Sequence, residues 1–323
     1  MANFNVVLDL GSSCLKGIFL KGGYIIKDPS VVLCDAQNGQ FKASGLSALQ
    51  TYASSSSQYK LTRPIQEGAV KDKESAAYLL ENFLHKLTGK AIFSSITVNV
   101  IVPCGLSKND KGVIDSVLSA IGVKQVKFLL APLCAAKRLF SEFEADIAVV
   151  LDIGADTTDI AIVREGQIEW GCTVFAGGSA LDKEIEDFIS DRYGVIISSE
   201  EAANLKINCA SLYPNDNSML TVEGMNVVKG FDEEINVTAR EMYNIISENI
   251  KRYAQAIQMA LPNLPQDSLS SVKREGIILC GGTAGLSGID KFLLDTLRLP
   301  VRISANAVDA AVLGGLALVR GEL

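Results

Sequence analysis

The feature that most constrains this chain is a strand-and-turn pattern that occurs twice. "NVVLDLGSSCLKGIFL" begins at residue 5, and "AVVLDIGADTTDIAIV" covers residues 148–163. In each copy an apolar run ends in Asp-x-Gly, at Asp9 and at Asp152, and hydroxyl-bearing residues follow. One such motif could simply end a strand in a tight turn. Two copies at domain-scale spacing instead predict two homologous domains.

The repeat divides the 323-residue chain near residue 145. Continuous apolar runs alternate with amphipathic helical patterns, which is typical of α/β domains whose sheets are covered on both faces. We predict a strand at 226–229, and we expect the serine-rich stretch 47–60 to be a loop or a small subdomain surface. We expect a first domain at 1–145 with a small insertion at about 28–73, and a second at 146–323 with a small subdomain at about 179–257. This scheme allows the last helix to return to the first domain.

Composition argues against several classes of protein. The 30 basic and 37 acidic side chains give a net charge of −7, which disfavours a dedicated nucleic-acid binder because phosphate contacts need a basic surface. Seven cysteines occur without a CxxC pair and with one histidine, so we expect reduced thiols in a cytoplasmic protein rather than disulfides or a zinc site. The chain opens directly on a strand, and its last apolar run is about half of a bilayer span. We therefore expect neither a secretory signal nor a membrane helix.

The two turns carry residues suited to phosphate binding. A glycine after a strand lets backbone N–H groups approach a phosphate closely, and hydroxyl groups add donors. Asp9 and Asp152, one at each strand end, suit a Mg²⁺ ion that is held mainly through waters. The predicted phosphate contacts are Gly11, Ser12, Ser13, Cys14 and Lys16 in the first turn, and Gly154, Asp156, Thr157 and Thr158 in the second.

A third motif lies in "GIILCGGTAGLSGIDKFLLDTLRLPV", residues 276–301. Its double glycine, Gly281-Gly282, stands between a strand and a predicted helix, and Thr283 and Ala284 follow. Such a turn permits a flat ring to pack against the backbone, and a helix N-terminus favours negative charge. Alone the motif is weak evidence. Together with the two phosphate turns it predicts a three-part nucleotide site.

With these three motifs the sequence resembles the actin, sugar-kinase and heat-shock chaperone ATPase superfamily. Within that superfamily it is most similar to bacterial actins of the rod-shape-determining MreB type, over segments at 22–32, 100–136, 176–194 and 309–319. The resemblance implies two homologous α/β domains around a central nucleotide cleft. It also implies ATP or ADP with Mg²⁺, and head-to-tail filaments of the chain itself for cell shape or intracellular positioning.

The resemblance assigns roles to residues outside the three motifs as well. Gly177, Gly178 and Lys206 would contribute to the nucleotide site, although the family's glutamate near the base is changed in this chain. Asp152 and Asp159 would take the catalytic roles. The family's water-orienting glutamate, which precedes a Pro-x-x-Ala-Ala helix start, is replaced by Ala131. The resemblance therefore implies ATP binding with slow hydrolysis.

Alternatives remain for membrane contact and for function. Ile92 and Phe93 match a membrane-touching loop of the rod-shape actins, yet two apolar residues between polar ones equally fit the start of a core strand. The predicted location is the cytoplasm, with or without association to the inner face of the membrane. The functional alternatives are a plasmid-segregating actin, a monomeric chaperone-like or adaptor ATPase of the same fold, and a small-molecule kinase. No inserted peptide-binding or sugar-binding segment favours the last two.

Overall fold

The computed structural model describes residues 4–89 and 95–322, and the chain divides into two units. Unit 1 comprises Met1–Glu144, Gly171–Thr173 and Asp309–Leu323. Unit 2 comprises Ala145–Trp170 and Val174–Val308. The chain thus passes into unit 2 after Glu144, contributes the short segment Gly171–Thr173 to unit 1, and returns to unit 1 finally at Asp309.

Unit 1 is built on a mixed sheet with helices on both faces. Its elements are β1 (Phe4–Leu10), β2 (Cys14–Phe19), β3 (Ile25–Pro29), β4 (Val32–Asp35), β5 (Phe41–Ser44), α1 (Leu46–Ser55), β6 (Tyr59–Thr62), β7 (Ile65–Gln66), β8 (Ala69–Val70), α2 (Lys73–Thr88), β9 (Ile96–Val102), α3 (Lys108–Ala120), β10 (Gln125–Leu130), α4 (Ala131–Phe143) and α10 (Ala310–Arg320). The main sheet has the order β10-β9-β1-β2-β3, and a smaller sheet has the order β5-β4-β6. β1 pairs antiparallel with β2 and parallel with β9.

Unit 2 repeats this plan. Its elements are β11 (Ile147–Ile153), β12 (Thr158–Arg164), β13 (Gln167–Val174), α5 (Gly178–Tyr193), β14 (Val195–Ile196), α6 (Ser199–Asn208), β15 (Met219–Asn226), β16 (Asp232–Thr238), α7 (Ala239–Ala260), α8 (Gln266–Glu275), β17 (Ile277–Cys280), α9 (Ile289–Leu297) and β18 (Val301–Ile303). The main sheet has the order β13-β12-β11-β17-β18, and β14-β15-β16 form a smaller one. β11 pairs antiparallel with β12 and parallel with β17. The repeated strand-and-turn motif therefore starts the same sheet topology in both units.

The apolar runs of the strands are buried against helices. Side chains alternate between the two faces of a strand, and β1 shows this directly. Val6 and Leu8 lie in a cluster with Phe83 of α2, whereas Val7 lies in a separate cluster with Val312 of α10. The sheet of unit 1 is thus covered on both faces, which explains why its strands are continuous apolar runs.

Helices α4 and α10 pack closely because α10 carries adjacent glycines. A β-carbon placed at Gly314 would overlap the carbonyl oxygen of Cys134 in α4. A β-carbon at Gly315 would lie 2.9 Å from Ile101 and 3.0 Å from Val7. Gly314 lets α10 pack directly against the backbone of α4, and Gly315 lets it pack against side chains of the sheet.

We expect Gly314→Ala to destabilise the protein by about 1–3 kcal/mol, because backbone atoms cannot move aside as a flexible side chain can. Gly112→Ala is the matched control, since Gly112 lies in α3 and an added β-carbon there meets no atom within 4 Å. That change should stabilise by about 0.5–1 kcal/mol, because alanine is the better helix former. Urea unfolding of the three proteins measures both effects. Equal shifts for both variants would contradict the packing argument.

The predicted strand at 226–229 is wrong, because most of it is the turn of a hairpin. β15 ends at Asn226 and β16 begins at Asp232. The side chain of Asn226 accepts hydrogen bonds from the N–H groups of Val228 at 3.0 Å and Lys229 at 2.9 Å, and Gly230 has φ +73°. Such local bonding by asparagine favours a turn. Exposed Met219 and Met225 obscured the strand signal by placing apolar residues on the solvent side.

Helix α1 occupies much of the stretch 47–60, for which the sequence predicts a loop or a small subdomain surface. Its N-cap residue, Gly45, has no side chain to cap the helix. Instead, the backbone N–H of Leu46 donates to Asp28 Oδ1 at 2.8 Å, and Asp28 is 5% exposed. The helix start is therefore fixed by a carboxylate from β3, which a local sequence window cannot show.

Two of the predictions concern membranes. Across residues 4–89 and 95–322, no helix combines the length and the hydrophobicity that a membrane crossing requires. Ile92 and Phe93 lie outside the described residues. Their contact with a membrane surface stays a prediction from the sequence.

Candidate functional site

The first Asp-x-Gly turn joins β1 to β2 and is tightly closed. A β-carbon at Gly11 would overlap the carbonyl oxygen of Cys14, so the turn requires glycine at that position. Ser12 is buried and Ser13 is exposed. Ser30, which follows β3, donates its backbone N–H to Ser13 O at 3.0 Å and its hydroxyl to Gly11 O at 2.5 Å. The turn carbonyls are thus held from one side.

The charged residues of the first turn form an ion pair with each other. Asp9 and Lys16 are opposite in the register of β1 and β2, and Lys16 Nζ lies 3.4 Å from Asp9 Oδ2. Lys16 is therefore held by an acid of its own unit, rather than being a free charge for a terminal phosphate as predicted. Burial raises the pKa of the Cys14 thiol above its ordinary value, although Lys16 opposes the shift. A neutral thiol at this position does not repel an anion.

The second turn, between β11 and β12, places two acids side by side. Asp152 and Asp159 are opposite in the antiparallel register, so their side chains extend from the same face of the sheet. Asp159 is 3% exposed. The turn itself is closed by a hydrogen bond from Gly154 N–H to Thr157 O at 2.9 Å. Two carboxylates on one face repel each other, and a bound cation would relieve that repulsion.

The start of α5 packs against the second turn. The backbone N–H of Gly178 donates to Gly154 O at 2.9 Å, and that of Ser179 donates to Ala155 O at 2.8 Å. A β-carbon at Gly177 would lie 2.6 Å from each of these carbonyl oxygens. The structure thus gives Gly177 a packing role.

Thr158 differs from its predicted role as a phosphate contact. It is fully buried, and its hydroxyl donates to Ala176 O at 2.8 Å. The hydroxyl of Tyr253 in α7 donates to the same carbonyl at 3.4 Å. Thr158 therefore connects the end of the second turn to the segment before α5. Asp156 and Thr157, by contrast, lie half-buried in the turn.

Three distant stretches of the sequence meet at Gly178. A β-carbon there would lie 3.1 Å from both Lys206 Nζ and Thr283 Oγ1. Lys206 donates to Gly178 O at 2.9 Å and forms an ion pair with Asp182 Oδ1 at 2.6 Å. The predicted residues of α5, α6 and the third motif are thus brought together beside the second turn.

Gly281 packs on the end of β11. A β-carbon at Gly281 would overlap the carbonyl oxygen of Ile153 and lie 2.6 Å from Asp152 Oδ1, and its φ of +87° also favours glycine. Gly282 has open space around it. A short 3₁₀ turn at Gly282–Gly285 follows, in which Thr283 and Ala284 are buried. The predicted helix N-terminus does not lie at the double glycine, because α9 begins only after Gly288 turns the chain with φ +77°.

Comparison with known proteins decides the family. A family model described as "MreB/Mbl protein" matches residues 3–321. The chain belongs to the MreB/Mbl family. It is 28% identical over 313 residues to the cell shape-determining protein Mbl of Bacillus subtilis, covering 96% of this chain and 94% of that protein. The predicted family is thereby confirmed.

Solved structures confirm the predicted fold of this MreB/Mbl-family chain. MreB 5 of Spiroplasma citri, solved bound to AMPPNP, superposes with a TM-score of 0.92 at 22% identity, covering 99% of this chain and 97% of that chain. A MamK double helical filament gives a TM-score of 0.84 at 19% identity, covering 99% of both chains. The chain therefore has the actin-like ATPase fold, built from two sheet-and-helix units.

Sequence reasoning missed two residues of this MreB/Mbl-family site. Asp182 pairs with Lys206, and its signal is its position one helical turn after Gly178. Ser30 holds the first turn, and its signal is its place directly after the third strand of the repeat. Each bond joins two segments that are far apart in the chain. Reading one motif alone therefore does not reveal the residue that bonds to it.

The carboxylate of Asp152, in the second turn, suits a hydrated Mg²⁺ ion. In the part of the chain that the structure describes, no group of three or more metal-ligating side chains occurs. Mg²⁺ usually keeps several waters and takes one or two carboxylates, so a full cage is not needed. Asp9 forms an ion pair with Lys16, whereas Asp152 has a second carboxylate, that of Asp159, opposite it on the same face, and that arrangement favours a cation at Asp152.

The start of α4 carries no carboxylate. Ala131 is the first residue of the helix, and Leu130 before it provides no side-chain cap. Ala131 is 9% exposed and lies in the apolar cluster with Val7 and Val312. In this MreB/Mbl-family chain, the position that would orient a water is therefore filled by a methyl group facing a core.

Proposed function

We propose that this MreB/Mbl-family chain binds an adenine nucleotide with Mg²⁺ and assembles into filaments that determine cell shape. Membership of the family supports the assignment, as do the relative named for cell shape, the AMPPNP complex and the MamK filament. The observation that carries nucleotide binding is the meeting of Gly178, Lys206 and Thr283 beside the second turn.

Each part of the site has a role in this proposal. The N–H groups of the two turns would bind phosphate oxygens, with Ser12, Ser13 and Thr157 as added donors. Gly281 and Gly282 would let the nucleoside approach the backbone. Asp152 would hold Mg²⁺ through water, and the bound ion would neutralise phosphate charge. Without a carboxylate at Ala131, hydrolysis would be slow.

Sedimentation at high speed tests the filament. We expect the pelleted fraction to rise when ATP and Mg²⁺ are added, because nucleotide binding biases a protein toward the conformation that binds it. Gly281→Ala should bind nucleotide poorly and stay in the supernatant, since the added β-carbon overlaps Ile153 O. Gly285→Ala is the matched control, because a β-carbon there meets no atom within 4 Å. Wild-type protein that binds ATP yet never pellets would contradict the filament and favour the monomeric ATPase.

A further inference from the structure

In both units, carbonyl groups of the Asp-x-Gly turn accept hydrogen bonds from the segment that follows the third strand, β3 in unit 1 and β13 in unit 2. In unit 2 the donors are the backbone N–H groups of Gly178 and Ser179, at 2.9 and 2.8 Å. In unit 1 both bonds come from one residue, Ser30, through its hydroxyl at 2.5 Å and its N–H at 3.0 Å. The matching carbonyls of Gly154 and Gly11 are thus both held, the first by a backbone N–H and the second by a side-chain hydroxyl. The second bond goes to a different position in each turn, Ala155 O in unit 2 and Ser13 O in unit 1.

We propose that Ser30 is a positioning residue for nucleotide binding, because it fixes the direction of N–H groups in the first phosphate turn. This inference rests on the nucleotide binding proposed above. In a trans peptide the C=O and the next N–H lie in one plane and point in opposite directions. Fixing Gly11 O therefore fixes the N–H of Ser12, and fixing Ser13 O fixes the N–H of Cys14. Both N–H groups are directed away from Ser30.

The surroundings of Ser30 make its hydroxyl hard to replace. Ser30 is 0% exposed, so bulk water has no access to Gly11 O from that side. Pro29 pairs with Cys14 in the register of β2 and β3, and proline restricts the backbone just before Ser30. The Ser30 hydroxyl is therefore positioned against the turn by the end of β3, where the strand pairing and Pro29 restrict the backbone. In unit 2 the bonds to Gly154 O and Ala155 O are made by backbone N–H groups, which a substitution removes only if it introduces proline.

The test compares Ser30→Ala with Ser75→Ala. Ser75 is a matched control in the same unit, because it is 2% exposed and its hydroxyl donates to Asp72 Oδ2 at 2.6 Å. We expect Ser30→Ala to bind Mg-ATP about five- to tenfold more weakly, the size of one lost hydrogen bond. We also expect faster amide hydrogen exchange at Ser12 and Cys14 in nucleotide-free protein. Ser75→Ala should lose stability with neither effect.

Two results would overturn the proposal. One is unchanged hydrogen exchange at Ser12 and Cys14 in folded Ser30→Ala, and the other is unchanged Mg-ATP affinity in a variant whose wild type binds Mg-ATP. Failure of the wild type to bind nucleotide would instead refute the proposed function, while the exchange measurement still decides whether Ser30 holds the turn.

Should Ser30→Ala fail to fold, the pair Ser30→Thr and Ser30→Val decides the matter. The two variants add the same volume and differ only in the hydroxyl. Threonine should bind Mg-ATP about five- to tenfold more tightly than valine. Equal affinities would overturn the role of the hydroxyl.

Discussion

Asp152→Ala should weaken the magnesium-dependent binding of ATP by about 10- to 100-fold while leaving the protein folded. A hydrogen bond to a charged group contributes about 1.5–3 kcal/mol, and Asp152 is the carboxylate that the end of β11 places next to Gly281. Its loss would leave the phosphate charge less well neutralised. Titration calorimetry with ATP, in the presence of Mg²⁺ and in EDTA, measures the effect.

Asp146→Ala is the control for this prediction, because Asp146 is an exposed acid that directly precedes β11, at the opposite end of the strand from Asp152. Its affinity should match that of the wild type in both solutions. Affinity in EDTA should change little in Asp152→Ala, since the carboxylate is expected to act through the metal. Unchanged Mg-ATP affinity in folded Asp152→Ala would mean that another acid holds the ion.

The second large effect concerns Ala131 and hydrolysis. We expect slow phosphate release from the wild type and an increase of about 10²- to 10⁴-fold in Ala131→Glu, which is the typical contribution of a general base. Such a factor corresponds to roughly 3–5 kcal/mol of barrier. Phosphate release at saturating ATP measures it, and filament lifetime should shorten in parallel. Nucleotide affinity should survive, because the proposed nucleotide contacts are made by the turns and by Gly281 rather than by this side chain.

The structure adds a control that separates charge from volume. Ala131 is 9% exposed beside Val7 and Ile101, so any longer side chain must extend from the edge of an apolar cluster. Ala131→Gln adds the same volume as glutamate without the carboxylate, and it should leave phosphate release slow. Rapid turnover by the wild type would contradict the prediction. It would point to Asp159, which shares a face with Asp152, as the residue that orients the water.

The sequence predicted the features that are encoded by neighbouring residues and missed those that depend on contacts between distant residues. The Asp-x-Gly turns, the strands before them and the family all followed from contiguous motifs. The bonds from Ser30 to Gly11 and from Lys206 to Asp182 join segments 19 and 24 residues apart, and no periodic pattern encodes such pairs. Helix α1 was missed because its start also depends on a distant residue, Asp28 of β3, which accepts from the N–H of Leu46.

The hairpin β15–β16 and the hydrogen bond of Thr158 could not be predicted for a different reason. Exposed methionines gave the hairpin an apolar pattern on its solvent side, so alternation did not identify its core face. Thr158 matched a motif of ligand hydroxyls, yet its hydroxyl already donates to Ala176 O. Residue type indicates which bonds a side chain can make, whereas only the fold determines which bond it makes.

The return of α10 to unit 1 bears on the order in which the protein can fold as the ribosome makes it. The ribosome synthesises all of unit 2 between the first and the last segments of unit 1, Met1–Glu144 and Asp309–Leu323. Val7 and Ile101 lie in the cluster that α4 begins and α10 completes, so this side of the first sheet stays only partly covered until unit 2 has been made. Domains generally fold as units during synthesis, the N-terminal one first. In this chain the N-terminal unit can complete its core only after unit 2 has been synthesised.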